Sequence, residues 1–282
     1  MSMPNTTKPV LAVFVSDFHT NDLCGLCPPV YHREKLSEHR PGKAVKALWQ
    51  AWCEFWTLMA TKKQETGAEL VAFCVGDLAD INVHSQIQLI SFNKADILRA
   101  MVDVAQPMLE VADCIFVIRG TAAHTGGNGL LEELFAQDIG AEPCPDEDSA
   151  SWWIVRAELG GVRIDVSHHP PTSSRVPWTL NQAAARAAAV AAARYQKEGL
   201  SREIPQVCVW GHTHVSAQGM ELGTHGIFLP PWKLVGAFGH RLGAGAHVER
   251  IGGLWLLCQD GHYTWDFERW QLRRPTIWRN ES

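Results

Sequence analysis

Four short apolar runs in this chain each stop at Asp or His, side chains of the kind that can bind metal. Residues 10–15 lead into Ser16-Asp17-Phe18-His19, residues 70–75 into Gly76-Asp77, residues 162–166 into Ser167-His168-His169-Pro170, and residues 207–210 into Gly211-His212-Thr213-His214. Runs of this length, rich in β-branched residues and bounded by Gly or polar residues, are strand patterns. Open α/β sheets gather their ligands just beyond the carboxyl ends of strands. The pattern therefore asks for a fold that brings four strand ends together.

The segments between these runs agree with such a fold. Residues 43–63 carry Val45, Leu48, Trp49, Trp52, Phe55, Trp56 and Met59 at helical spacing. Residues 86–111 read as helix, interrupted or kinked near Pro107. Residues 114–118 read as a strand and 129–137 as a short helix. Residues 152–158 and 162–166 form a hairpin pattern around Gly160-Gly161, and 254–259 with 262–265 another around Asp260-Gly261. Residues 179–196 are an Ala-rich helix with Thr179 or Asn181 as cap. Alternating β and α followed by a β-rich tail predicts an α/β layered domain with mixed sheets, in one domain over residues 8–282.

Composition narrows the function. The 282 residues bury a full core, and the net charge of −5 argues against a dominant electrostatic grip on nucleic acid. The first apolar run, 10–15, is too short for a signal-peptide core or a membrane span, so a soluble, cytoplasmic protein without a membrane partner is expected. Of the eight cysteines, Cys53, Cys74, Cys114, Cys208 and Cys258 fall in apolar patterns and read as buried thiols. Cys24 and Cys27 have zinc-like spacing without a second pair, and read as loop thiols.

Asp17, His19, Asp77, His168, His212 and His214 each follow a strand pattern. Carboxylate and imidazole together suit Mn, Zn, Fe or Ni rather than Ca. Asp17 with His19, and His212 with His214, are two residues apart. In extended backbone that spacing puts both side chains on one face.

On these motifs the chain resembles the calcineurin-like metallophosphoesterases, and within them the phage and prophage branch. The resemblance implies a four-layer αββα sandwich, two mixed β-sheets flanked by helices, with two divalent cations at the sheet ends. Mn2+ is the first expectation, with Zn2+, Fe2+/Fe3+ or Ni2+ as alternatives. It implies that Asp17, His19 and His214 hold one cation, that Asp77 bridges, and that His168 and His212 hold the other. His168 is preferred to His169 because the family's ligand stands two places before a proline, here Pro170. His169 and Arg119 are then placed on the substrate side. The third motif departs from the family's Gly-Asn-His: here Gly120 is followed by Thr121-Ala122-Ala123-His124. Thr121 takes the position of the Asn ligand as a weaker donor. His124 arrives two residues late and is assigned the catalytic role of protonating the leaving group.

The implied activity is metal-dependent phosphoester hydrolysis, with a hydroxide held between the cations attacking phosphorus in line. A phosphodiester or nuclease-like substrate, a nucleotide or nucleic acid, is preferred. That preference leans on Arg269, Arg273, Arg274 and Arg279 interleaved with Phe267, Trp270 and Trp278. The alternatives are a catalytically weak or inactive scaffold of the same fold that binds protein, and a structural site for a single ion. Asp80 is a candidate partner for a ligand histidine. Asn82 and His84 are candidates for the cleft, Arg33 and Arg175 for phosphate clamps, and Trp178 and Trp232 for a substrate wall.

Overall fold

The structure is a computed structural model that describes residues 8–34, 37–81, 88–173, 179–236 and 250–272. In chain order the elements are β1 (Val10–Val15), β2 (Tyr31–His32), β3 (Glu38–His39), α1 (Lys43–Thr66), β4 (Glu69–Val75), α2 (Lys94–Leu109), β5 (Cys114–Ile118), α3 (Ala122–Thr125) and α4 (Leu130–Ile139). They continue with β6 (Ile154–Leu159), β7 (Val162–Ser167), α5 (Leu180–Lys197), β8 (Val207–Trp210), β9 (Ala217–Glu221), β10 (Thr224–Phe228), β11 (Arg250–Gln259) and β12 (His262–Gln271).

Two five-stranded mixed sheets form, in the orders β12-β11-β1-β4-β5 and β6-β7-β8-β10-β9. β1, β4 and β5 run parallel in the first; β7, β8 and β10 run parallel in the second. Alternation along the strands sorts the side chains into layers. Phe14, Val71, Phe73, Val75 and Ile118 face Val155, Ile164, Val166, Val207 and Val209 in a core between the sheets. There Phe73 stacks on Phe14 at 4.7 Å and on Phe116 at 5.1 Å. The alternate residues Leu11, Val13, Leu70, Ala72 and Cys74 meet Leu48, Trp52, Phe55, Met59, Val104 and Phe135 of α1, α2 and α4. On the far side Ala183, Ala184 and Ala187 of α5 pack on Cys208, Trp210 and Phe228. The result is helix, sheet, sheet, helix, the expected four-layer αββα sandwich. Among the described residues no helix is long and apolar enough to cross a membrane.

Several elements differ from the sequence expectation. α2 begins at Lys94, with the Asn93 side chain accepting from the Ala95 N–H, rather than near residue 86. Pro107 lies in its last turn, so the helix ends two residues later instead of breaking there. The β11–β12 hairpin runs through Gln271 rather than stopping near residue 265. Its turn residues Asp260 and Gly261, like Gly160 and Gly161 of the other hairpin, have positive φ, as a type I′ turn requires. Trp232, expected at a substrate wall, is fully buried against Trp52, Phe55 and Trp270. Cys53 and Cys114 are only partly buried, and all eight cysteines are free thiols.

Candidate metal centre

The parallel strands end at one edge of the sandwich, and the loops leaving them interlock. Asp17 N–H donates to Gly76 O at 3.1 Å, His19 N–H to Asp77 O at 3.0 Å and Thr20 N–H to Leu78 O at 3.1 Å. The loops after β1 and β4 thus lie side by side. Glycines allow the close fit. A Cβ on Gly211 would stand 2.1 Å from Ser16 Oγ, and one on Gly120 2.2 Å from Asp77 N. Asp17, His19, Asp77, His212 and His214 all have φ between 45° and 67°. The pairs two residues apart are therefore left-handed at both members, not extended as expected. Each such residue costs about 1–2 kcal/mol, and strain of this kind persists where surrounding structure enforces it.

Asp17, His19 and His214 aim lone pairs at one small volume. His214 Nε2 lies 3.1 Å from Asp17 Oδ1 and 3.2 Å from His19 Nε2. His19 donates its Nδ1–H to Asp80 Oδ1 at 3.0 Å, which leaves Nε2 unprotonated toward His214. Asp17 Oδ2 accepts from Ser16 Oγ at 2.5 Å and His212 N at 3.1 Å, while the buried Oδ1 has no hydrogen-bond partner. An orphaned carboxylate oxygen facing imidazole nitrogens is the arrangement a cation would satisfy.

A second group lies beside it. His168 donates Nδ1–H to Val75 O at 2.8 Å and turns Nε2 to Asp77 Oδ2 at 3.0 Å. Thr121 Oγ1 is 3.2 Å from Asp77 Oδ2, 3.5 Å from His168 Nε2, 3.2 Å from His169 Nε2 and 3.4 Å from His212 Nδ1. Ligand atoms of Asp17, Asp77 and His168 lie within 4.8 Å of one another, so the two carboxylates join the two groups.

A third contact set holds His124. The short helix α3 folds it back so that Nδ1 meets Asp80 Oδ1 at 2.6 Å, with Nε2 4.0 Å from Asp77 Oδ2. Asp80 thereby touches both His19 and His124. Its other oxygen receives Lys233 Nζ at 3.3 Å, and Lys233 also binds Asp22 at 2.9 Å.

The electrostatics suit cations. Burial opposes ionisation of Asp17, but His214 beside it holds the carboxyl down to about 2. Asp77 and Asp80 are likewise held far below the carboxylate range: burial is outweighed by His168 for Asp77 and by His19 and His124 for Asp80. Burial, then His168 and His212, push His169 down to about 4; burial and His168 lower His212. Burial and Lys233 lower His19. His168 goes the other way, to about 9, because Asp77 outweighs burial. Ionised carboxylates with mostly neutral imidazoles are the forms that bind metal. The charge His168 attracts is the charge a cation would supply.

Not every expected residue comes to this place. Arg119 is bound to Glu133, Ser149 and Ser151 and lies over the Trp153 ring, away from the ligand groups. Arg33 donates to Glu38 O at 3.5 Å, between β2 and β3. Arg269 stacks on Phe267 and bonds Ser216, and Trp270 bonds Glu54, so packing occupies them. Asn82, His84, Arg175, Trp178, Arg273, Arg274, Trp278 and Arg279 lie outside the described residues. Sequence reasoning missed Lys233, Asp22 and the buried Glu132. Lys233 follows a Pro-Pro-Trp stretch without a motif, 153 residues from Asp80.

No family profile and no curated protein matches the chain in sequence. Solved structures resemble it in fold. A predicted phosphoesterase from Streptococcus pneumoniae is 12% identical, covering 93% of this chain and 90% of its own, with a TM-score of 0.40. Vps29 complexed with zinc, from Entamoeba histolytica, is 14% identical over 94% and 100%, with a TM-score of 0.40. An archaeal phosphodiesterase is 10% identical over 92% and 100%, with a TM-score of 0.41.

Proposed function

We propose that this protein is a metal-dependent phosphoester hydrolase, with its active centre at the strand ends that carry Asp17, His19, Asp77, His168, His212 and His214. The observation that carries this reading is the convergence of Asp17 Oδ1, His19 Nε2 and His214 Nε2, with the carboxylate oxygen orphaned and buried. Asp17, His19 and His214 would hold one cation and His168 and His212 the other, with Thr121 as a weak neutral donor and Asp77 offered to both. Two divalent cations there would polarise phosphoryl oxygens and furnish hydroxide near neutral pH.

The protein's own groups do the rest. Asp80 orients His19 and keeps its Nε2 free. It also holds His124, whose pKa is raised: burial opposes, and Asp80 and Asp77 outweigh it. The two carboxylates favour the protonated form of His124, the form that would deliver a proton to a departing alkoxide. The diester is the class we prefer, since its monoanion needs less added positive charge at the site than a monoester dianion.

The test is hydrolysis of bis-p-nitrophenyl phosphate beside p-nitrophenyl phosphate after loading with Mn2+ or Zn2+, with His212→Ala as control. The expected result is diester turnover reduced at least about 100-fold in the variant, the scale on which electrostatic groups act in catalysis. Absence of turnover from metal-loaded protein would turn the reading toward a protein-binding scaffold.

A further inference from the structure

Three imidazoles surround one point in this site. The ring centroids of His168, His169 and His212 are 4.7, 5.2 and 4.5 Å apart in pairs. One ring nitrogen from each lies within 4.8 Å of the other two. The point they face is marked by Thr121 Oγ1, with Asp77 Oδ2 at 3.2 Å on the remaining side. Thr121 cannot satisfy all of these neighbours, because a hydroxyl donates one hydrogen and accepts at two lone pairs. Its side chain caps nothing at the start of α3. His169 presents Nε2 to this point, and its ring packs edge-on to His168 and tilted against His212.

We propose that His169 is a ligand of the second cation, completing a set of three imidazoles and the Asp77 carboxylate, with the Thr121 hydroxyl dispensable. This rests on reading the site as a two-cation centre. It assigns to metal binding a histidine that the proline frame sets on the substrate side. It also separates the two positions chemically. The first offers Asp17, His19, His214 and Asp77, a balanced oxygen and nitrogen set. The second offers three nitrogens to one carboxylate, and imidazole suits Zn, Ni and Cu more than Mg or Mn. The second position therefore selects a zinc-like ion, whichever cation fills the first.

The test is metal binding by the full chain, independent of turnover. Metal-stripped protein is titrated with Zn2+ against a chromophoric chelator, and the zinc-loaded protein is measured by X-ray absorption to count imidazole ligands. Wild type is expected to bind two ions. His169→Ala and His169→Gln are expected to lose about 100-fold in affinity for one of them, no less than losing a residue that merely supports a ligand. His212→Ala is expected to lose the same ion, Thr121→Ala to keep both, and Thr121→Asn in the His169→Ala background to restore part of the lost affinity. His169 is exposed, so matching melting curves of the metal-free variants check that they fold. Two ions bound by His169→Ala with unchanged affinity, while His212→Ala loses one, would overturn the proposal and leave the two-cation reading standing. Wild type that binds no ion, or binding that His212→Ala and His214→Ala leave unchanged, would overturn both.

Discussion

Glu132 shows what single side chains contribute beneath the centre. It is fully buried on α4, takes the Gly120 N–H at 3.3 Å on one oxygen, and leaves the other unpartnered. Burial raises its pKa to about 7; the Thr125 hydroxyl pulls it back and the Asp77 charge adds to the rise. The folded chain therefore holds this proton more tightly than the unfolded chain. Its favourable contribution is complete below the unfolded value near 4.5, declines as pH rises from there to about 7, and is gone above. At about 1.4 kcal/mol per pH unit the loss comes to roughly 3.5 kcal/mol. Glu132→Gln is expected to remove that slope, so that its gain over wild type grows between pH 4.5 and 8 in denaturant unfolding. Parallel pH profiles for the two proteins would contradict the assignment. Among the residues, the candidate ligands were legible because each directly follows a strand pattern. Glu132, Asp22 and Lys233 were not, since their meaning comes from burial and from partners far along the chain.

At the scale of elements, the centre depends on how closely the strand-end loops approach. Gly211 opens the loop after β8 against Ser16 Oγ and Val75 O, which a Cβ would meet at 2.1 and 2.8 Å. Gly211→Ala is expected to push the loops after β1, β4 and β8 apart, costing about 1–3 kcal/mol in unfolding free energy. It is also expected to weaken cation binding. Unchanged stability and metal content would show the loops to be looser than described. The strands were readable because apolar alternation and Gly turns are local signals, down to the positive φ of both hairpin turns. The start of α2 was not, because Leu89, Ile90 and Phe92 resemble part of a helix face but lie outside the helix, where Ile90 N–H bonds Asn21 O. Nor was α3, a single turn that seats His124 on Asp80 and has too few residues to show a period.

For the whole molecule, the sandwich acts as a frame. Both sheets send their parallel strands to one edge, so six ligand candidates separated by up to 197 positions meet there. The layer order was legible from alternation of β and α patterns. The crossing of loops from two sheets at one seam was not, because pairing between distant strands is decided by packing. The most direct test of the central claim is crystallography of zinc- or manganese-loaded protein with anomalous data at the metal's absorption edge. The account predicts two peaks, one bounded by Asp17, His19 and His214 and one by His168 and His212, with Asp77 touching both. A single peak away from Asp77, or no peak at the strand ends, would contradict it.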